Sequence, residues 1–243
     1  MKSTEYRVQS TDQISLSVKR SVSETVCQQS GLSGEAGLPA IVGITGGIGS
    51  GKSTIARALA ACGYAVYDCD KEAKRIIVEN AKVRKAIIGL LGTEAFTASP
   101  EHPFTGIYNT AYVAERVFRE PELLERLNQI VHPAVKRDIL ERIGHRATPV
   151  FFIESAILYE AGLDSICDKI IVVDAPEEVR IARTIARDYH GEATDTNINK
   201  VRARIHAQEA RRFQPSVVSH LVVVQNDGKA SIDELVSVIL KNI

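Results

Sequence analysis

Residues 43–54 read GITGGIGSGKST, five glycines and one lysine in a single short stretch, directly after the apolar Ile41-Val42. Glycine is costly inside a helix or strand, so this density marks backbone that bends tightly and approaches something closely. Gly46–Ser53 matches G-x-x-x-x-G-K-[ST] between a strand candidate, AIVGIT, and a helix candidate, TIARALAACG. In that setting a curled backbone turns several N–H groups toward one polyphosphate, and no Cβ stands in the way. The expected cradle is Gly47, Ile48, Gly49, Ser50, Gly51, Lys52, Ser53 and Thr54, with the positive end of a helix starting near Lys52. Lys52 can reach β- and γ-phosphate oxygens, and the Ser53 hydroxyl suits the shell of Mg²⁺. A glycine-rich turn without a ligand is the competing reading, and the full motif in its strand–helix setting weighs against it. The chain is expected to bind ATP or GTP.

The order of elements around the loop sets the fold class. YAVYDCD is a short apolar run followed by a long helix-like stretch, KEAKRIIVENAKVRKAIIGLLG. A loop with Pro100, Pro103 and Gly106 leads to a mostly helical block over 109–146, where ELLERLNQIV carries apolar residues at helical spacing. PVFFIES and DKIIVVDA are buried-strand candidates. After them come PEEVRIARTIARD, with Pro176 suited to a first helical turn, and the basic helix NINKVRARIHAQEARRF. HLVVVQNDG reads as a late strand, and Ser231 with Glu234 fits a capping box opening a final helix. Apolar strands alternating with helices imply an α/β fold with a parallel sheet flanked by helices. Residues 1–39 are polar and rich in Ser, Thr and Gln; apart from a strand candidate in ISLSVKRSV, they read as a flexible extension.

Composition removes several function classes. Lys plus Arg and Asp plus Glu each total 30, so a net charge of zero gives no sign of a nucleic-acid binder. No apolar run nears the roughly 20 residues that cross a bilayer, and the N-terminus lacks a secretory pattern. Cys27, Cys62, Cys69 and Cys167 are scattered without CxxC or Cys/His spacing, which argues against structural zinc and a disulfide framework. A cytoplasmic setting without nucleic acid or membrane partners is expected. No sequence feature specifies an oligomeric state.

Candidate chemistry gathers at strand ends. YAVYDCD closes on Asp68 and Asp70, and residues two apart on a strand share a face, so both carboxylates could point into one crevice. Either could orient a substrate hydroxyl and accept its proton during attack on a γ-phosphate. Either could equally cap the helix starting near Lys71. Glu154, ending PVFFIES, stands where a carboxylate can hold Mg²⁺ directly or through water, or else serves as a cap or surface acid. Arg183 and Arg187 lie four apart on one helix face. The polar segment Asp188–Asn199, containing Gly191, has the character of a lid, with Arg202, Arg204, Arg211 and Arg212 beyond it. A closing, arginine-bearing lid would surround the developing charge and exclude water, whereas a solvated helix face is the plainer reading of most of these arginines.

TGGIGSGKST, the strand ending D-x-D, LNQIVHP, and the succession KIIVVDAPEE, ARD, RxxxQ and NDG together resemble the dephospho-coenzyme A kinase family over roughly residues 40–243. The resemblance implies a phosphate-loop kinase with a core over about 40–72 and 148–243, a helical substrate region over about 73–147, and a lid over about 186–206. It implies ATP and dephospho-coenzyme A as substrates, Mg²⁺ as cofactor, and phosphorylation of the ribose 3′-hydroxyl. Carried over by motif, Asp70 is the base, Lys52 and the loop amides hold ATP, Arg187 is the lid cation, and Asn226 and Gly228 approach adenine. Asp68, Asp70, His132 and Glu160 are the expected substrate contacts, and Ser53 and Glu154 the expected metal contacts. Two departures stand out: Ala156–Glu160 reads AILYE where many members have PLLFE, and Asn109 stands where many have arginine. Another small-molecule kinase of the same class is the nearest alternative. A GTPase-like switch is less compatible, because no N-K-x-D segment occurs.

Overall fold

In the computed structural model, which describes residues 39–99, 106–144, 148–211 and 221–243, β1 (Ala40–Gly46) lies at the centre of a five-stranded sheet. The others are β2 (Ala65–Asp68), β5 (Val150–Glu154), β6 (Lys169–Asp174) and β7 (Leu221–Gln225), in the order β2-β5-β1-β6-β7. β1 runs parallel to β5 and β6, and β6 parallel to β7. The central strands read as near-continuous apolar runs, because helices cover both faces of a parallel sheet. All of Val150–Glu154 is buried, and so is Val42–Gly46. The parallel sheet expected from the alternation of strands and helices is thus present.

The chain divides into two units. The first holds the described residues up to Val66, Thr148–Glu160 and Asp164–Ile243; the second holds Tyr67–Ala147 and Ala161–Leu163. In the first, α1 (Lys52–Ala61) and α8 (Ile232–Lys241) pack Ile55, Leu59, Leu235, Val236 and Ile239 against Val42, Ile44, Phe152, Ile171, Val173 and Val224. Gly63, at φ 90°, ends α1 in the left-handed conformation and returns Tyr64 N–H to Leu59 C=O. That turn sets the Tyr64 ring edge-on to Phe152, with centroids 5.6 Å apart. The capping box at Ser231 and Glu234 forms in full. α6 (Glu177–Asp188) and α7 (Asp195–Arg211) build a second cluster from Ile181, Ile185, Val201 and Ile205.

The second unit is helical: α2 (Cys69–Glu79), α3 (Ala81–Leu91), α4 (Thr110–Arg119) and α5 (Pro121–Gly144), with a small antiparallel pair, β3 (Phe96–Thr97) and β4 (Ile107–Tyr108). The core face of α5 is a row of residues spaced by four, Leu123, Leu127, Val131, Val135, Ile139 and Ile143.

Two sequence expectations need correcting. The long helix after YAVYDCD is two helices. Asn80 takes an extended backbone, and its side-chain oxygen accepts from Lys82 and Val83 N–H, which ends α2 and caps α3. Asp68 and Asp70 do not share a strand face, because the strand ends at Asp68 and α2 begins at Cys69. The polar segment Asp188–Asn199, read as a lid, is half helical. α7 starts at Asp195, and a short turn through Gly191 joins it to α6. The extension's strand candidate, Arg212 and the loop prolines Pro100 and Pro103 lie outside the described residues.

Candidate active site

The phosphate loop of the first unit leaves β1 at its carboxyl end and enters α1 at Lys52. Gly51, the residue before the helix, sits at φ 93°, a conformation glycine adopts without strain. The helix therefore starts with its unpaired N–H groups beside the lysine, where an anion gains from the helix dipole. Glu154, ending β5, is 4% exposed. Lys52 Nζ lies 3.7 Å from Glu154 Oε1, and the Ser53 hydroxyl donates to the same oxygen at 3.2 Å. A cation, a hydroxyl and a buried carboxylate thus converge at the loop. Of the two readings open for Glu154, its burial and its partners exclude a surface acid.

A set of protein groups that the motif does not include holds the outer side of the loop. Asn226, 3% exposed, follows β7 and donates its side-chain N–H to Ser50 C=O at 2.8 Å. Its backbone N–H bonds Asp174 C=O at 2.7 Å, which registers the β7 turn on β6. Arg183 donates to Asn226 C=O and Asn226 Oδ1, both at 3.0 Å, and to Ser50 C=O at 3.3 Å. Burial lowers the Arg183 pKa, and Asp227 opposes that shift. A Cβ at Gly51 would run into the Asn226 side chain, so this glycine is required by the protein as well as by any ligand. Gly228 has φ 89°, and a Cβ there would lie in ordinary contact with the Arg183 guanidinium, 3.8 Å away.

Arg187 lies one turn beyond Arg183 and does not touch the loop. Its guanidinium, 60% exposed, bonds Asp188 at 2.6 and 3.2 Å, and Asp188 also accepts from Arg204 at 2.8 Å. These two arginines, Arg187 foremost, pull the Asp188 carboxyl down to about 2 against the opposing effect of burial. Glu160 is exposed within the turns that follow β5.

In the second unit Asp68 caps α2, its carboxylate accepting from Lys71 N–H at 2.9 Å. That capping answers one of the alternatives raised for the D-x-D pair. Asp70 sits in the first turn of α2, exposed, with no hydrogen-bond or ion-pair partner among the described residues. One acid is thus committed to backbone while the other stays available. His132 and Pro133 fall inside α5 rather than in a turn. Asn109 caps α4 through Tyr112 N–H and donates to Glu94 C=O.

The sequence reading gave no role at the loop to Arg180 or Gln208, both of which bond it at Ile48. An arginine at helical spacing with Thr184 and beside Ile181 was the available signal for Arg180. Gln208 ends the RxxxQ run that the resemblance rests on, but nothing local gave its role, because its partner is a main-chain group far away in sequence. Among the described residues no disulfide forms and no cluster of three metal-binding side chains occurs. Burial pushes the Cys167 thiol up to about 12, which keeps it protonated at neutral pH.

Comparison with known proteins bears on this geometry. The dephospho-CoA kinase family model matches residues 40–231. A dephospho-CoA kinase of Porphyromonas gingivalis is 40% identical over 168 residues, covering 69% of this chain and 77% of that one. One from Salinibacter ruber is 40% identical over 190 residues, covering 77% and 88%. Among solved structures, TT1252 from Thermus thermophilus superposes with a TM-score of 0.63 at 30% identity, over 84% of this chain and 95% of that one. The Campylobacter jejuni dephospho-CoA kinase shares the fold with a TM-score of 0.54 at 22% identity, over 83% and 95%. A family model that matches residues 40–231, over a phosphate loop backed by Lys52, Ser53 and Glu154, makes this chain a member of the dephospho-CoA kinase family.

Proposed function

We propose that this protein transfers the γ-phosphoryl group of ATP to the ribose 3′-hydroxyl of dephospho-coenzyme A, releasing ADP and coenzyme A. Family membership supports the substrate pair, and the single structural observation that carries the chemistry is the Lys52–Glu154–Ser53 cluster at the mouth of the phosphate loop. The loop amides and the dipole of α1 bind the β- and γ-phosphates, and Lys52 adds a direct cation. Once ATP arrives, its phosphate oxygens compete with Glu154 for the Lys52 ammonium.

Mg²⁺ needs only one or two protein oxygens when phosphates and water fill its other positions. The Ser53 hydroxyl and Glu154 carboxylate, hard oxygen donors 3.2 Å apart, fit that demand. When bound, the ion neutralises charge on the transferring group. Asp70 is the general base on the acceptor hydroxyl: its carboxylate is exposed and uncommitted, whereas Asp68 is occupied as a cap. Asn226 and Gly228, with Arg183, flank the adenine side. Arg187 acts as a lid cation, leaving Asp188 to meet the phosphoryl group, and His132 and Glu160 contact the acceptor. Among the described residues no helix is long and apolar enough to cross a membrane.

The test is acceptor choice. Incubation with ATP, Mg²⁺ and a panel of dephospho-coenzyme A, adenosine, AMP and shikimate, with products identified by mass, should give coenzyme A far faster than any other product. Comparable turnover of another acceptor would reassign the protein to a different small-molecule kinase.

A further inference from the structure

The loop motif accounts for the inner side of the phosphate loop, which faces a ligand. At Ile48 the outer side is gripped in a way the motif does not contain. Ile48 N–H donates to Gln208 Oε1 at 2.7 Å, and Ile48 C=O accepts from Arg180 Nε at 2.9 Å. One residue of the loop is therefore held at both main-chain groups by side chains of two different helices, Arg180 from α6 and Gln208 from α7.

Arg180 is 5% exposed, and its charge is met by Glu209 at 2.5 Å, the residue next to Gln208. Burying a guanidinium is expensive unless its partners hold it, so packing alone does not explain an arginine here. The loop is shaped around it. A Cβ at Gly47 would run into the Arg180 guanidinium, and one at Gly49 into the Arg180 backbone. The Ile48 side chain packs on the α6–α7 cluster of Ile181, Ile185, Val201 and Ile205. Arg180 Nη2 has no hydrogen-bond partner among the described residues and lies against Gly47.

We propose that Arg180, Gln208 and Glu209 form a positioning clamp that fixes the Ile48 peptides, so that α7 sets the nucleotide affinity of the phosphate loop. The inference rests on the loop being a nucleotide site. Loop amides bind phosphate well only when they already converge, since ordering a mobile loop at the moment of binding costs affinity. The clamp acts on the loop equally before and during phosphoryl transfer, so it contributes uniform binding: KM moves more than kcat. The three residues touch no reacting atom and are positioning residues.

The experiment uses the full chain and measures ATP binding by calorimetry without an acceptor, then KM and kcat for ATP, with Tm of each ligand-free variant. Gln208→Ala removes only the acceptor on Ile48 N–H. It should weaken ATP binding about tenfold and raise KM similarly, with a smaller fall in kcat. Arg180→Lys keeps a charge facing Glu209 but loses the Nε donor, and should weaken ATP binding in the same direction. Gln208 is only partly buried, so its variant folds and decides the matter even where Arg180→Lys does not. Gln208→Ala binding ATP within about twofold of the parent, or losing affinity only in step with a lowered Tm, would overturn the clamp. A parent that fails to bind ATP at all removes both the clamp and the nucleotide reading beneath it. A parent that binds ATP but does not phosphorylate dephospho-coenzyme A removes the acceptor assignment and leaves the clamp standing.

Discussion

The two units use their polar side chains differently. In the first, Asn226, Arg180, Arg183 and Gln208 bond main-chain groups of the phosphate loop, each reaching across more than a hundred residues of sequence. In the second, beside the helix caps, one cluster of polar side chains bonds among itself. Tyr67 donates to Asp138 at 2.7 Å; Arg75 pairs with Glu72, Glu79 and Asp138; Arg142 pairs with Glu72 and Asp138 and lies over the Tyr67 ring. Gripping backbone fixes the curvature of a loop, and that curvature is what an anion reads. A mutual side-chain network instead registers α2 on α5. Substitutions of the residues that grip the loop should therefore show in binding and turnover, and those in the second unit's network in stability. Asp70, outside that network, is the exception that the proposed chemistry requires.

The largest effects test that exception. Lys52→Ala should abolish turnover and weaken ATP binding, because the γ-phosphate loses its direct cation. Asp70→Asn should leave ATP binding nearly intact while kcat falls by roughly 10²-fold or more, as for the loss of a general base. An active Asp70→Asn beside an inactive Asp68→Asn would exchange the roles of cap and base. Asp138→Ala should come next. Burial raises the Asp138 pKa, but the hydrogen bonds from Tyr67 and Arg75 outweigh it and hold the group below its usual range, so the carboxylate is a stabilising partner. Removing it takes one hydrogen-bond partner from Tyr67, Arg75 and Arg142, the two arginines keeping Glu72, and should cost about 1–2 kcal/mol in denaturant unfolding, with ATP affinity unchanged. Loss of ATP affinity in this variant would erase the contrast between the units.

The smallest effect is the pH dependence of Asp188. Its folded pKa of about 2 lies below the ordinary value of 3.8, so its stabilisation is present above about pH 4 and is lost as pH falls toward 2. The Tm difference between the parent and Asp188→Asn should shrink over that window. A difference that stays constant from pH 5 to pH 2 would mean that the Arg187–Asp188–Arg204 contacts are not held in solution.

Local chemistry was enough to read some of this protein from its sequence. The motif at Gly46–Ser53, the buried strand runs, the capping box at Ser231 and the position of Glu154 at a strand end all follow from spacing, because each depends on neighbours within a few residues. Asn80 shows the first limit: one side-chain cap outweighed an apolar period that ran on through it. Asp68 and Asp70 show the second, since two-residue spacing implies a shared face only while the strand continues, and here the helix begins between them. Only the tertiary structure decided what holds the loop from outside. Arg180, Arg183, Gln208 and Asn226 act on main-chain groups, which carry no side-chain identity for a sequence pattern to register. Their partners were chosen by the packing of α6, α7 and β7 around the sheet, and long-range packing is what sequence spacing does not encode.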